Sequence, residues 1–142
     1  MKKTFIFLLL TVSCYYAKSQ KIIRIQAINS YYELDSTIHF QFTNTSSCEL
    51  LYSVALEAFN EGDWREVFSD IYHTQSTITM MQCLNPHKTE KRPINIKKMM
   101  RPYLNDIVGN HFVYSSNFRL KISYHFGKIK QETYSNNFRI GN

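Results

Sequence analysis

Alternation of apolar and polar residues is the feature that most constrains this chain. In the clearest run, from Phe118 to Phe126, apolar residues occupy every second position and mostly polar residues lie between them. A period of two places the two sets on opposite faces of an extended strand, whereas a helix would mix them. Shorter runs of the same period begin near Ile23, Ile38 and Tyr52. The pattern therefore predicts half-buried antiparallel strands.

Short polar connections separate these runs. Asn60 to Asp63 has the composition of a hairpin turn, and Gly127-Lys128 joins the last two predicted strands. About seven short strands of this kind predict an all-β, antiparallel two-sheet sandwich. The stretch 97–107 departs from the alternation, and because Pro102 limits helix length it predicts at most a short helical turn. No linker interrupts residues 20–142, which are predicted to form one domain.

The N-terminus has the layout of a secretory signal peptide. Lys2 and Lys3 precede an apolar core from Phe5 to Ser13, and Ala17-Lys18-Ser19 places small residues at the positions that a signal peptidase reads. The apolar core is too short to span a bilayer as a helix, and no longer apolar run follows it. We expect residues 1–19 to be removed after Ser19 and the protein to be secreted or periplasmic.

A second route of export stays open at this stage. Leu10 to Cys14 resembles a bacterial lipobox, although Thr11 stands where leucine is usual. In that alternative Cys14 carries the lipid, and the protein is a membrane-anchored lipoprotein.

The positive charge of the chain is unevenly distributed. There are 17 Lys and Arg against 11 Asp and Glu, a formal net charge of +6. Three of the lysines precede the predicted cleavage site, and much of the remaining excess falls between residues 88 and 101. A basic tract predicts a patch for an anionic partner such as a polyanion, a lipid headgroup or an acidic protein. Nucleic acid is not expected for an exported protein, and an ordinary solvated surface is the alternative. The residues of this tract are Lys88, Lys91, Arg92, Lys97, Lys98 and Arg101.

Two cysteines remain after the predicted cleavage, Cys48 and Cys83. An even number of cysteines in an oxidising compartment predicts a disulfide between them. The alternative is two separate buried thiols, because cysteine is often a small core residue.

Several segments resemble strands of secreted bacterial immunoglobulin-like domains, as found in small exported proteins of Gram-negative bacteria. Tyr32 to Ser46 is similar to their second strand and the loop after it, and Tyr52 to Trp64 to the third strand and its hairpin. Phe118 to Tyr124 and Ser135 to Ile140 resemble the last two strands. The resemblance implies an immunoglobulin-like sandwich and leaves the function open, because such sandwiches perform many unrelated roles. Trp64 departs from antibody-type domains, since it follows the third strand.

No set of residues in the sequence predicts a catalytic or metal site, so we expect no enzyme activity, no metal and no cofactor. There is no Gly-x-Ser-x-Gly elbow and no glycine-rich phosphate loop. The histidines lack metal-ligand spacing: two lie on the polar faces of strands predicted in opposite sheets, and three in predicted loops. They are His39, His125, His73, His87 and His111. The acids around Trp64 are expected on a solvated hairpin face; they are Glu57, Glu61, Asp63, Glu66 and Asp70.

Aromatic residues at predicted turns and strand ends are candidates for contact with a partner. They are Tyr31, Tyr32, Trp64 and Tyr72, and the alternative is that they cover the ends of the sandwich. The sequence thus predicts an exported, monomeric, non-catalytic binding module for a protein or a glycan. The alternative function is a proteinase inhibitor, which would present an exposed loop such as Asp70 to Thr79 to an enzyme.

Overall fold

The structure, a computed structural model, describes residues 21–69 and 81–142. The predicted signal peptide, with Cys14, lies outside the described residues. Those residues contain ten strands, two α-helices and one 3₁₀ turn. The strands are β1 (Ile23–Gln26), β2 (Tyr31–Glu33), β3 (Thr37–Asn44), β4 (Leu50–Asn60), β5 (Asp63–Ser69), β6 (Gln82–Leu84), β7 (Thr89–Asn95), β8 (Asn117–Phe126), β9 (Ile129–Tyr134) and β10 (Arg139–Gly141). The helices are α1 (Ile96–Met100) and α2 (Ile107–Ser115), with the 3₁₀ turn Arg101–Tyr103 between them.

Two antiparallel sheets form the body of the fold. One has the order β1-β3-β7, and the other has the order β5-β4-β8-β9 with β6 beside the first residues of β4. The short strands β2 and β10 pair in parallel. Setting aside these short strands, β1-β3-β7 matches the sheet that contains strands A, B and E of an immunoglobulin domain. The other sheet, β5-β4-β8-β9, matches the sheet with the order C′, C, F and G. The predicted all-β, immunoglobulin-like sandwich is therefore confirmed. β2, β6 and β10 add to the predicted number of strands, because three residues are too few to show alternation.

The core lies between the two sheets, as the alternation predicts. Phe42 of β3 and Tyr52 of β4 are fully buried, and their rings meet edge to face with centroids 5.0 Å apart. Apolar positions of β8 from Phe118 to Tyr124 are buried against the same core. Each large side chain buried in this way contributes about 1.5–3 kcal/mol.

Asn44 ties together two of the connections that cross between the sheets. Its side chain is fully buried, and Nδ2 donates to the carbonyl oxygens of Cys48, Leu84 and Asn85 at 2.8, 3.1 and 3.2 Å. Its Oδ1 accepts from both the amide and the hydroxyl of Ser46. The β3–β4 and β6–β7 connections are therefore held by one amide group.

The helical region is longer than predicted. Within 97–107 the structure has most of α1 and the 3₁₀ turn, but α2 extends well beyond this stretch. Asp106 begins α2 by accepting a hydrogen bond from the amide of Gly109 at 2.6 Å. Glycine is required there, because a Cβ would lie 1.8 Å from the carbonyl oxygen of Tyr103. Neither helix in the described part of the chain is long and apolar enough to cross a membrane.

Candidate functional site

The outer face of the sheet β5-β4-β8-β9 carries a cluster of charged and aromatic side chains. Alternation along β8 buries Leu120 and leaves Arg119 and Lys121 on the outer face. Strand register then places Glu57 of β4 opposite Arg119, and a bulge beside Leu56 brings Glu66 of β5 opposite Glu57. Charged groups from three strands therefore meet on one face. We call this group the Arg119 cluster; its members are Glu57, Trp64, Glu66, Arg119, Lys121, Glu132 and Tyr134.

A buried carboxylate lies at the centre of the Arg119 cluster. Glu57 is only 6% exposed, and its Oε2 accepts from Nε and Nη2 of Arg119, both at 2.8 Å. Its Oε1 lies 2.7 Å from Nζ of Lys121, which also reaches Glu66 at 3.3 Å. Burial by itself lowers the pKa of Lys121, but Glu57 and Glu66 outweigh that effect and the pKa is raised. Glu57 is thus neutralised by two cations that have little contact with water.

Two aromatic rings enclose the guanidinium of Arg119. Its central carbon lies 4.0 Å from the ring centroid of Trp64 and 3.9 Å from that of Tyr134. Trp64 also contacts Phe59, with ring centroids 5.2 Å apart. Both cation–π contacts and the charged hydrogen bonds to Glu57 hold Arg119 in one position. The result is a surface on which two aromatic rings and a fixed cation lie together.

Glu132 fixes the other side of the cluster. It accepts a hydrogen bond from the hydroxyl of Tyr134 at 2.6 Å and lies 3.6 Å from Nζ of Lys130. The tyrosine hydrogen bond, together with the charges of Lys121 and Lys130, lowers the pKa of Glu132. The same hydrogen bond raises the pKa of Tyr134. The ring beside Arg119 is therefore held at its hydroxyl end as well.

This hydrogen bond predicts a specific dependence of stability on pH. The pKa of Glu132 in the fold lies below its ordinary value of 4.5, so its stabilisation is complete above that value and is lost as the pH falls through the folded-state pKa. We expect Tyr134→Phe, which removes the donor, to lose less stability between neutral pH and about pH 3 than the wild type does. Urea unfolding over this range measures the difference. Equal losses in the two proteins would contradict the assignment.

The predicted aromatic contacts separate in the structure. Trp64 is half-buried within the Arg119 cluster, and Tyr31 is exposed on β2, away from it. The prediction that Tyr32 contacts a partner is wrong. Its side chain is only 7% exposed and packs edge to face on Phe138, because neighbouring residues of a strand point to opposite sides. Tyr72 lies outside the described residues.

The basic tract does not form a single patch, which corrects that prediction. Alternation along β7 leaves Lys91 on the outer face, opposite Gln41, and turns Arg92 towards the core, opposite Phe40. There Nη1 of Arg92 bonds Gln82 and lies 3.4 Å from both Glu90 and the Tyr52 hydroxyl. Lys97 forms an ion pair with Asp35 at 2.7 Å. Lys88 is exposed in the turn before β7, Lys98 in α1 and Arg101 in the 3₁₀ turn.

An apolar groove of about 770 Å³ opens beside Arg92. Phe40, Val54 and Phe68 contribute apolar surface to it, and Lys98 lies on its polar side. Among the described residues that line the groove there is no carboxylate, histidine or cysteine. The groove therefore offers a place for an apolar group beside two cationic side chains, Arg92 and Lys98.

The remaining candidate residues are dispersed. His39 and His125 lie on different sheets, as predicted, and His87 lies in a turn, but His111 belongs to α2 and not to a loop. His73, Asp70 and the predicted inhibitory loop Asp70 to Thr79 lie outside the described residues, so the inhibitor hypothesis stays a prediction. Within 21–69 and 81–142, no group of three or more His, Cys, Asp or Glu is placed to hold a metal ion. Glu57 was expected with other acids on a solvated hairpin face, and this prediction is wrong because its side chain is buried.

Cys48 and Cys83 are free, exposed thiols, so the predicted disulfide is not formed in the structure. Strand pairing places Cys83 opposite Leu51, while Cys48 lies in the connection before β4. A hydrogen bond to Glu49 is the main cause that raises the pKa of Cys83. A thiol held in its protonated form is a poor nucleophile, so this environment does not activate Cys83.

Sequence reasoning missed the Arg119 cluster as a unit. Arg119 and Lys121 are recognisable as outward-facing residues, and Glu57 alternates with apolar neighbours in the same way. The available signal was the opposite charge of Glu57, on the third predicted main strand, and of Arg119 and Lys121, on the sixth. These two strands are adjacent in an immunoglobulin-like sandwich. A scan against protein-family models finds none that matches this chain, and a comparison with curated proteins finds no significant match.

Proposed function

We propose that this chain is an exported, non-catalytic binding module that contacts a protein partner through the outer face of β5-β4-β8-β9. The observation that carries the proposal is the guanidinium of Arg119, enclosed by Trp64 and Tyr134 and bonded to buried Glu57. The proposal of export rests on the sequence of residues 1–19.

The composition of the Arg119 cluster fits a protein interface. Trp, Tyr and Arg are the residue types that contribute most of the binding energy at such interfaces. Because Arg119 is already fixed by its neighbours, ordering it on binding costs little entropy. Exposed Phe59 and Leu51 extend the same outer face in both directions along β4. The face therefore combines a rigid centre with apolar surroundings.

The charges on this face favour an uncharged partner surface over a polyanion. Arg119, Lys121 and Lys130 are balanced by acids with which they form ion pairs, Glu57, Glu66 and Glu132. The guanidinium covers one face of each aromatic ring, which leaves less free ring surface for stacking against a sugar. A protein with apolar and aromatic contact residues is the partner that this chemistry fits.

Substitution of the outer-face aromatics tests the proposal. Proteins of the cell envelope and culture medium are captured on the wild-type module, and each is then purified and its affinity measured separately. We expect Trp64→Ala and Tyr134→Ala each to weaken the specific complex by about tenfold or more, because both remove part of the Arg119 stack. Circular dichroism establishes that each variant is folded.

Tyr31→Ala is the matched control, because Tyr31 is an exposed tyrosine outside the outer face. It is expected to bind as the wild type does. Equal affinity of all three variants, or loss of affinity in Tyr31→Ala alone, would refute the proposed surface. Binding to a glycan array with the same dependence on Trp64, and to no protein, would refute the proposed class of partner.

A further inference from the structure

The helical segment, residues 96–115, exposes apolar side chains that the fold does not use. Ile107 and Val108 are 88% and 79% exposed, the highest values among the large apolar side chains described. They begin α2, and His111 one turn later is exposed as well. A surface helix ordinarily turns polar residues outward and apolar residues to the core. Here Val113 fills the core position, so the fold gains nothing from Ile107 and Val108.

Arg101 begins the 3₁₀ turn against which α2 packs, and Lys98 lies three residues before it in α1. The rings of Tyr103 and Phe112 are 5.4 Å apart, and the carbonyl oxygen of Leu104 accepts from Nδ2 of Asn110 at 3.2 Å. These contacts bring the 3₁₀ turn, which begins with Arg101, against the first turn of α2. Within the described residues, neither Arg101 nor Lys98 forms an ion pair, whereas Lys97 bonds Asp35.

The acid within the helical segment does not offset these cations fully. Asp106 is the single acidic residue between 96 and 115, and its Oδ1 accepts the amide of Gly109 as the N-cap of α2. Lys97, Lys98 and Arg101 leave the segment with a net positive charge. An exposed apolar tip on a segment of net positive charge is complementary to a surface that has anionic groups above an apolar layer.

We infer that the helical segment docks onto an anionic lipid surface. Ile107 and Val108 enter the boundary between headgroups and acyl chains, while Lys98 and Arg101 lie against lipid phosphates. Two aliphatic side chains are too small an area for a stable protein interface, which buries about 800 Å² on each partner. Aliphatic residues are also uncommon as energetic centres of protein interfaces. The inference is independent of the proposed protein-binding face, because it uses different residues.

Vesicle binding of residues 20–142 tests the inference. This part of the chain contains every strand and helix that the structure describes, and it lacks the apolar run from Phe5 to Ser13 that would itself bind lipid. The probes are vesicles of phosphatidylglycerol and phosphatidylcholine in equal amounts, and vesicles of phosphatidylcholine alone. We expect the wild type to sediment with the anionic vesicles and to dissociate as salt is added.

Two double variants separate the apolar and the cationic contributions. Ile107→Ser with Val108→Ser, and Lys98→Gln with Arg101→Gln, are each expected to lower the partition coefficient by about tenfold. All four side chains are exposed, so both variants should keep the wild-type melting temperature. Retention of wild-type partitioning by either variant would overturn the inference, as would a wild type that does not bind anionic vesicles.

The β8–β9 hairpin provides a matched control. Ile129 is 58% exposed and Lys128 precedes it, so the pair also combines an apolar and a cationic side chain. Ile129→Ser with Lys128→Gln is expected to bind vesicles as the wild type does. If this variant loses as much binding as the two variants of the helical segment, the lipid contact is not specific to that segment and the inference fails.

Discussion

Replacing Glu57 with glutamine should lower the free energy of unfolding by about 2–4 kcal/mol. The substitution keeps the size of the side chain but removes the charge that Arg119 and Lys121 share. Those two side chains are only 20% and 16% exposed, so water compensates poorly for the loss. The two cations then repel each other at close range. The expected loss is smaller than the loss from breaking a fully buried ion pair, because both cations keep some contact with solvent.

Urea unfolding at neutral pH measures this loss, followed by the fluorescence of Trp64, the single tryptophan of the chain. Glu61→Gln is the matched control, because Glu61 and Arg65 form an ion pair at 3.9 Å with both side chains largely exposed. An exposed pair of this kind contributes at most about 0.5–1 kcal/mol. If the two substitutions had equally small effects, Glu57 would not be the electrostatic centre of the cluster.

The orientation of residues within single strands could be predicted from the sequence. Arg119 and Lys121 alternate with buried Phe118, Leu120 and Ile122, and the structure keeps that assignment. Period two is a local property of an extended chain, so no knowledge of the partner strands is needed. The same reasoning explains an error: Lys91 and Arg92 are adjacent in the sequence, and a strand therefore separates them onto opposite faces.

The pairing between distant strands could not be read from the sequence. Glu57 becomes buried only because β4 lies between β5 and β8 and because the bulge in β5 aligns Glu66 with it. Tyr32 becomes a core residue because β2 pairs with β10, which lies at the far end of the chain. Register between such segments depends on the packing of the whole core and on the connections, neither of which a local pattern contains.

α2 was not predicted because its own residues favour a helix weakly. Ile107, Val108 and Gly109 all have lower helix propensity than alanine, and together they cost about 2 kcal/mol. The helix forms because Asp106 caps its first turn and Val113 is buried in the core. Tertiary contacts of this kind routinely outweigh propensity in a helix of this length. The burial of Val113 depends on the packing of the whole core, which a local pattern does not contain.

Replacing Asn44 with alanine should lower the free energy of unfolding by about 3–4 kcal/mol. Alanine removes the donor that serves the carbonyl oxygens of Cys48, Leu84 and Asn85 and the acceptor that serves Ser46. These polar groups lie in or beside the β3–β4 and β6–β7 connections, where Asn44 itself is fully buried. The carbonyl oxygen of Asn85 keeps the amide of Lys88, and that of Cys48 keeps the hydroxyl of Ser46. Water still reaches these partly buried groups poorly, so losing all the hydrogen bonds of Asn44 together costs more than losing exposed ones.

Asn44→Asp sharpens the test, because it preserves the acceptor for Ser46 and places a carboxylate oxygen against three carbonyl oxygens. The folded-state pKa of such a carboxyl is raised, so its destabilisation grows as the pH rises above the unfolded value of about 3.9. Asn110→Ala is the control, since Asn110 is half-buried and its Nδ2 bonds two carbonyl oxygens. It should lose only about 1 kcal/mol. If Asn44→Asp left the protein as stable as the wild type at neutral pH, the amide donors of Asn44 would not hold the two connections together.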